Sequence, residues 1–457
     1  MSTILARNPC LVGGDAVASR PLDVEPQAQN NAVVDKPGLV RAIGRWTMVA
    51  LVINCIIGSG IFGLPNELAG LLGGMAPWGY LLAALGMGII MACFAEVASR
   101  FREAGGPYLY ARVAFGSFLG IQMGWLAYLV RMTSAAANAN LFVIYLGEFW
   151  APAQDWWGRA AVLSVLIGFL AVINVRGVQA GARVSNFFTI AKMVPLGVFI
   201  VLGLFAAGRI PIGGSTAGGD EWFRAMLLLV FAYGGFESAL LPMGEAKNPQ
   251  RDAPIALFTA LGVVTTVYLL IHLVVMAMLP DPTVSNRPLA EAARVFMGNT
   301  GAMFISFGAL ISVYGLLSAN MLNAPRLTYA LAERRDFPAL FGVIHPRFRT
   351  PHISIWIYTV LTLGLALYGS FVWNAVLSAV ARLFTYGLVC AALLRLRQSD
   401  PGGAAFRLPG GAVFAIIGLA FCAVLVARMG PQEFIILAVT TALALGNWLW
   451  ARSRAPK

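Results

Sequence analysis

Charge is the scarcest ingredient of this sequence. Of 457 residues only 11% are Asp, Glu, Lys or Arg, against 59% hydrophobic. That balance excludes a soluble globular domain and places the chain among polytopic membrane proteins. Lysine is scarcer still, with four (Lys36, Lys192, Lys247, Lys457) beside 28 arginines. Three histidines (His272, His345, His352) are too few and too dispersed to build a catalytic metal centre. The five cysteines, Cys10, Cys55, Cys93, Cys390 and Cys422, show neither CxxC spacing nor a loop pair, so no disulfide framework or zinc site is expected. There is no G-x-x-x-x-G-K-S/T loop to hold ATP, and no H-E-x-x-H or G-x-S-x-G. These absences argue against an ATP-driven pump and a membrane-embedded enzyme; no cofactor or metal is expected.

What charge there is carries information by its placement. Roughly 20 apolar residues cross a bilayer core, and twelve such spans are expected, at about 46–71, 76–99, 117–147, 159–175, 184–207, 223–243, 254–279, 300–331, 353–369, 372–396, 411–428 and 432–451. Counting basic residues near a span end with the side they border, 23 Lys and Arg fall in the N-terminal tail, the even-numbered loops and the C-terminal tail. Six fall on the other side (Arg159, Arg209, Arg224, Arg287, Arg294, Arg428), and three (Arg131, Lys192, Arg382) lie within spans. This positive-inside asymmetry leads to the expectation of a multi-pass chain in the cytoplasmic membrane with both termini in the cytoplasm, and with anionic headgroups and not nucleic acid as the basic chain's partner. Residues 1–45 are polar and without apolar periodicity, so a mobile tail is expected there. They lack the apolar core and cleavage site of a signal peptide. Between spans 7 and 8, Pro288–Phe296 suggests a short amphipathic helix on the outer face.

Two spans are interrupted by glycine. Gly58-Ser59-Gly60-Ile61-Phe62-Gly63 breaks the first, and Tyr233-Gly234-Gly235-Phe236-Glu237 breaks the sixth, 175 positions later. Unwound backbone survives in a bilayer only against a cavity or ligand, and matched breaks in two halves point to a transporter's binding site. Five helices followed by five more must have opposite topology, because five is odd. The expected organisation is therefore a repeat at 46–207, an external loop at 208–222, an inverted repeat at 223–396, two further helices in 397–451, and a cytoplasmic tail at 452–457. Helix N-termini favour anions, and Ser59 and Gly60 let a carboxylate approach the half-helix closely. Carbonyls before each break, near Cys55–Ile57 and Phe231–Gly234, suit an ammonium. Together they describe an α-amino acid. A channel, the rival class, usually shows its glycine filter by symmetry around one pore.

These residues resemble the amino acid–polyamine–organocation transporters. Gly58-Ser59-Gly60-Ile61-Phe62 is similar to their span-1 motif, and Phe231-Ala232-Tyr233-Gly234-Gly235-Phe236-Glu237 to their span-6 motif. Glu245-Ala246-Lys247-Asn248-Pro249 resembles the following loop, and the stretch from Ala324-Pro325-Arg326 to Thr350-Pro351 resembles the segment joining spans 8 and 9. The resemblance covers about 45–400. It implies the leucine-transporter-like 5+5 inverted repeat with helices 1 and 6 broken, and transport of amino acids or amines by alternating access. It also implies that Ser59 and Gly60 take the substrate carboxylate, that the carbonyls of Ile56 and Gly234 take the amine, and that Phe231 is an aromatic lid. Ile57, Gly58, Ile61 and Ala232 complete the two broken stretches. Arginine/agmatine exchangers of the family sandwich a guanidinium between aromatics of spans 6 and 8; here the span-8 position falls near Asn320. The side-chain pocket is expected around Tyr128, Met132, Tyr233 and Asn320, with Arg131 beside it.

Lys192 is the only lysine within a span, where burying an ammonium costs roughly 2.5–3.5 kcal/mol on insertion scales. A dry site without a counter-ion favours the neutral amine, so Lys192 is expected to gain and lose a proton during transport. It resembles the lysine of sodium-independent, proton-coupled members of the family. The alternative is an ammonium bound structurally to helix-end carbonyls. Arg131 either selects a second carboxylate or is neutralised by Glu237, Glu96 or another buried acid, and pairing is the favoured reading. Glu237 is expected to hold unwound backbone or to titrate. Glu96 is expected in an ion network at the end of span 2, and His272 as a core histidine. The expected substrate is a neutral amino acid first and an acidic one second, moved with protons or by exchange. The sequence leaves oligomeric state open.

Overall fold

The computed structural model describes residues 44–101, 106–177, 182–208, 213–214, 217–240 and 247–453. Nearly all of the expected N-terminal tail, Arg209, the Glu245-Ala246 start of the loop motif, the side chains of 185–190 and the end of the C-terminal tail lie outside the described residues. The chain divides at Val40, and everything below concerns the second unit, Arg41–Lys457.

The described residues are helical, with no strand among them. The first expected span resolves into three pieces, α1 (Arg45–Ile56), α2 (Ser59–Gly63) and α3 (Pro65–Leu72). Then come α4 (Ala76–Ser99), α5 (Gly106–Phe115), α6 (Ser117–Leu146), α7 (Trp156–Val175) and α8 (Ala182–Ala206). The sixth expected span is α9 (Gly219–Tyr233) followed by α10 (Phe236–Ala239). The remainder is α11 (Pro249–Met278), α12 (Pro288–Glu333), α13 (His352–Tyr368), α14 (Phe371–Ser399), α15 (Gly411–Val426) and α16 (Pro431–Ser453). Several helices begin on proline, whose missing N–H costs nothing in a first turn. Among the described residues eight helical segments are long and apolar enough to cross a membrane, with three shorter apolar helices besides.

The interior is largely apolar, as in a soluble core, but the surface is apolar too and the polar groups of the spans turn inward. Val165, Phe169, Val413, Ile416, Val439 and Leu443 are exposed on α7, α15 and α16, whereas Glu96, Asn138, Asn140, His272 and Asn374 are completely or almost completely buried. A hydrocarbon solvent dictates this, because polar groups in it must face the bundle. At the centre, α6 packs against α12, α13, α14 and α16. Its run Thr133–Ala139 is small and buried, which lets helix backbones approach closely. α8 approaches α12 in the same way: a Cβ on Gly308 would sit 2.6 Å from the Pro195 ring.

Two elements depart from the expected layout. α5 forms where the sequence reading leaves a connection, and its buried Tyr108, Leu109 and Tyr110 pack while Arg112 pairs with Asp336 and donates to the Tyr108 hydroxyl. Within α12, Gly298 (φ 68°, ψ −166°) breaks the helix, so Pro288–Met297 forms the short helix expected near 288–296. Arg294 of that helix bonds Glu148 at 2.5 Å and Glu291 at 3.0 Å.

Candidate functional site at the broken helices

Both interruptions fall where the glycines lie. α1 ends at Ile56, Ile57 is extended (φ −70°, ψ 102°), and Gly58 (φ −138°, ψ −136°) precedes α2. Leu64 N–H bonds Gly60 O at 3.0 Å and Leu68 N–H bonds Leu64 O at 2.9 Å, so α2 and α3 continue almost as one helix. In the second break Gly234 is extended and Gly235 has φ 109°. Gly235 is required twice over, since a Cβ there would lie 2.3 Å from Cys55 O of α1. Gly60 serves packing as well as any ligand, because its Cβ would meet the Ala232 backbone at 2.9 Å.

The breaks meet at a cavity of about 70 Å³, lined by Cys55, Ile56, Gly58, Ser59 and Gly60 from one side and by Phe231, Ala232, Gly234, Gly235 and Ser238 from the other. Arg131 and Ser134 of α6, Leu316, Ala319, Asn320 and Asn323 of α12, and Arg382 of α14 complete it. A smaller cavity of about 40 Å³ adjoins it, shares Arg131, Ser134, Ser238, Asn320 and Arg382, and adds Glu237, Pro107 and Tyr108. Ala319 and Asn323 are exposed. Ser59 Oγ is buried with no hydrogen-bond partner, a hydroxyl free to meet a ligand.

Of the expected site residues, the structure brings together Ile56, Gly58, Ser59, Gly60, Arg131, Phe231, Ala232, Gly234 and Asn320. Ile57, Ile61, Tyr128, Met132 and Tyr233 do not line the cavity. The Tyr233 hydroxyl donates to Tyr80 O at 3.2 Å, and the Tyr128 ring packs on Tyr358 and Trp125, so both turn into the bundle. Not all the expected carbonyls are free. Tyr268 of α11 lies within 3.3 Å of Ile56 O and 3.0 Å of Ala232 O, so one hydroxyl serves both breaks.

Charge is distributed differently from the expected pairing. Glu237 accepts from Gly235 N–H at 2.9 Å and from Tyr386 O–H at 2.9 Å, and lies 3.7 Å from Arg382 Nε. Glu96 is held by Arg397, Arg100 and Leu408 N–H. Both acids proposed for Arg131 are thus engaged elsewhere, and among the described residues Arg131 has no ion pair. Arg382, whose part in the site the sequence reading missed, lies over Gly234: a Cβ there would be 1.6 Å from its Nη1. Its Cζ is 5.9 Å from the Phe231 ring centroid, within cation–π range. Its signal was a charged residue alone in an apolar span.

Lys192 is 2% exposed, and its Nζ donates to Asn54 O at 2.8 Å and Ile57 O at 2.6 Å. Those are carbonyls freed where α1 ends, the negative end of a helix dipole. His272 is fully buried against Tyr80, and neither of its nitrogens has a partner among the described residues.

Comparison with known proteins places the chain among membrane transporters by sequence. A family model described as amino acid permease matches residues 43–445. A serine/threonine exchanger of Bacillus subtilis (strain 168) is 31% identical over 341 residues, covering 72% of this chain and 77% of the relative. A methylthioribose transporter of the same organism is 27% identical over 405 residues, covering 84% and 87%. An uncharacterized transporter of Mycobacterium tuberculosis (strain ATCC 25618 / H37Rv) is 29% identical over 440 residues, covering 87% and 91%.

Proposed function

We propose, from the premise that this chain belongs to the amino acid permease family, that it is a secondary transporter carrying L-amino acids across the cytoplasmic membrane by alternating access. The observation that carries the proposal is the convergence of two helix breaks from distant parts of the chain on one cavity. The start of α2 supplies N–H donors and the free Ser59 hydroxyl for an α-carboxylate. The end of α9 supplies carbonyls for an ammonium, and Phe231 covers the ligand from the same helix. Ala319 and Asn323, exposed on the cavity wall, lie on the half of α12 that leads to the arginine-rich 326–349 segment. By the positive-inside pattern that side is cytoplasmic, so this conformation faces inward.

Protons are the proposed driver, acting at Lys192. A buried ammonium on the carbonyls of Asn54 and Ile57 ties α8 to the first break, and losing its proton would weaken that tie when the break must move. Obligate exchange is the second reading, favoured by the relative named as an exchanger. It would leave the Lys192 contact structural throughout. Uptake of a labelled amino acid panel by proteoliposomes separates the two. Accumulation above the external concentration under external acid supports the symporter; uptake only into liposomes preloaded with amino acid supports the exchanger. Single-channel currents without saturable uptake would refute both.

A further inference from the structure

The cavity holds more positive charge than an α-amino acid with a neutral side chain can answer. Two guanidiniums line it, Arg131 (8% exposed) and Arg382 (5% exposed), against the single carboxylate of Glu237. Arginine stays protonated in proteins, so it cannot relieve burial by becoming neutral. Glu237 is already committed to Gly235 N–H and Tyr386 O–H, and it makes no hydrogen bond to Arg382 at their 3.7 Å separation. Arg382 Nε and Nη1 are buried without a hydrogen-bond partner. A buried charge left in that condition is costly unless something arrives to pair with it.

The geometry also fixes where Arg382 sits. Its guanidinium fits between the bare Cα of Gly234 and the face of Phe231, so a ligand meets it already oriented. Arg131 and Arg382 come from α6 and α14 and line the same cavity as the start of α2, where the Ser59 hydroxyl is free. Asn320, Ser134 and Ser238, shared by both cavities, add polar atoms between them.

Resting on the amino acid transport reading above, we infer that the side-chain end of this site is built for a second anionic group, and that the preferred substrates are dicarboxylic amino acids. The α-carboxylate lies at Ser59 and Gly60, and the side-chain carboxylate lies between Arg131 and Arg382, where fork-shaped donors match its two oxygens. The expectation of a neutral substrate took the side-chain pocket as mainly apolar and Arg131 as paired with Glu237, Glu96 or another buried acid; Glu237 and Glu96 are engaged elsewhere, and among the described residues Arg131 has no ion pair.

The test compares isosteres on purified protein in proteoliposomes. Glutamate and aspartate, glutamine and asparagine, and serine and leucine compete against whichever labelled amino acid is taken up. Wild-type protein is expected to prefer each acid over its amide by about tenfold or more, because an amide leaves a buried cationic site incompletely paired. In Arg131→Gln the acid KM rises about tenfold or more and the acid-to-amide ratio falls toward unity. Arg131→Lys restores part of the preference, since it keeps the charge but loses the fork. Equal or better transport of amides, serine or leucine by wild-type protein overturns the inference and leaves the transport reading standing. Uptake of no amino acid at all overturns both. The wild-type comparison decides the matter even if the variants fail to run as a single species on size exclusion.

Discussion

Gly235→Ala is the substitution whose effect the geometry specifies most closely. Two separate terms act on it. The first is backbone strain: at φ 109° an L residue lies in a region that costs of order 1–3 kcal/mol. The second is contact: the new methyl would stand 2.3 Å from Cys55 O and 3.1 Å from Cys55 C, where ordinary contact begins at 3.4 Å. Both atoms are backbone, so α1 itself must retreat by about an ångström, an overpacking cost of typically 1–3 kcal/mol. Together they give roughly 2–6 kcal/mol, and at about 2 °C per kcal/mol a fall of roughly 4–12 °C in melting temperature. The matched control is Gly262→Ala in α11, where no atom lies within 4 Å and a helical alanine should be neutral or stabilising. The assay is thermal melting in detergent by loss of the monodisperse size-exclusion peak, followed by uptake in proteoliposomes. Gly235→Ala should melt well below Gly262→Ala and transport poorly. Equal melting of the two variants would refute the argument that the left-handed glycine and its close approach to α1 hold the breaks together.

Three further outcomes are expected. Lys192→Met should abolish acid-driven accumulation while leaving amino acid counterflow measurable, because it removes the two bonds that tie α8 to the first break; unchanged acid-driven accumulation would end the coupling proposal. Tyr268→Phe removes the one hydroxyl serving both breaks, leaving two buried carbonyls short of a donor at about 1–3 kcal/mol; transport should slow, measured as a lower maximal rate. Glu96→Gln breaks the buried group that receives Arg397, Arg100 and Leu408 N–H, costing about 3 kcal/mol. Melting should fall while the KM for substrate stays unchanged, since Glu96 lines neither cavity.

Much of this protein was legible before any coordinates. Hydrocarbon requires long apolar helices with polar groups turned inward, so composition alone announced a membrane protein. The glycines at 58, 60, 234 and 235 announced unwound backbone, because little else tolerates their conformations and contacts in a bilayer. Those are local rules, and the breaks at Gly58 and Gly234–Gly235 follow from them. What the sequence left undetermined is which buried charges meet. Glu237 could pair with Arg131 or with Arg382; only the packing of α14 against α9, whose end leads into Glu237, decided for Arg382, and left Arg131 free of an ion pair among the described residues. Likewise Tyr128 and Tyr233 lie in the right spans yet turn away from the cavity, while Tyr268 reaches both breaks from α11. Helical periodicity tells which residues share a face. It does not tell how two faces are rotated against each other, and a shift of one residue, about 100° around an α-helix, carries a side chain from the cavity into the bundle.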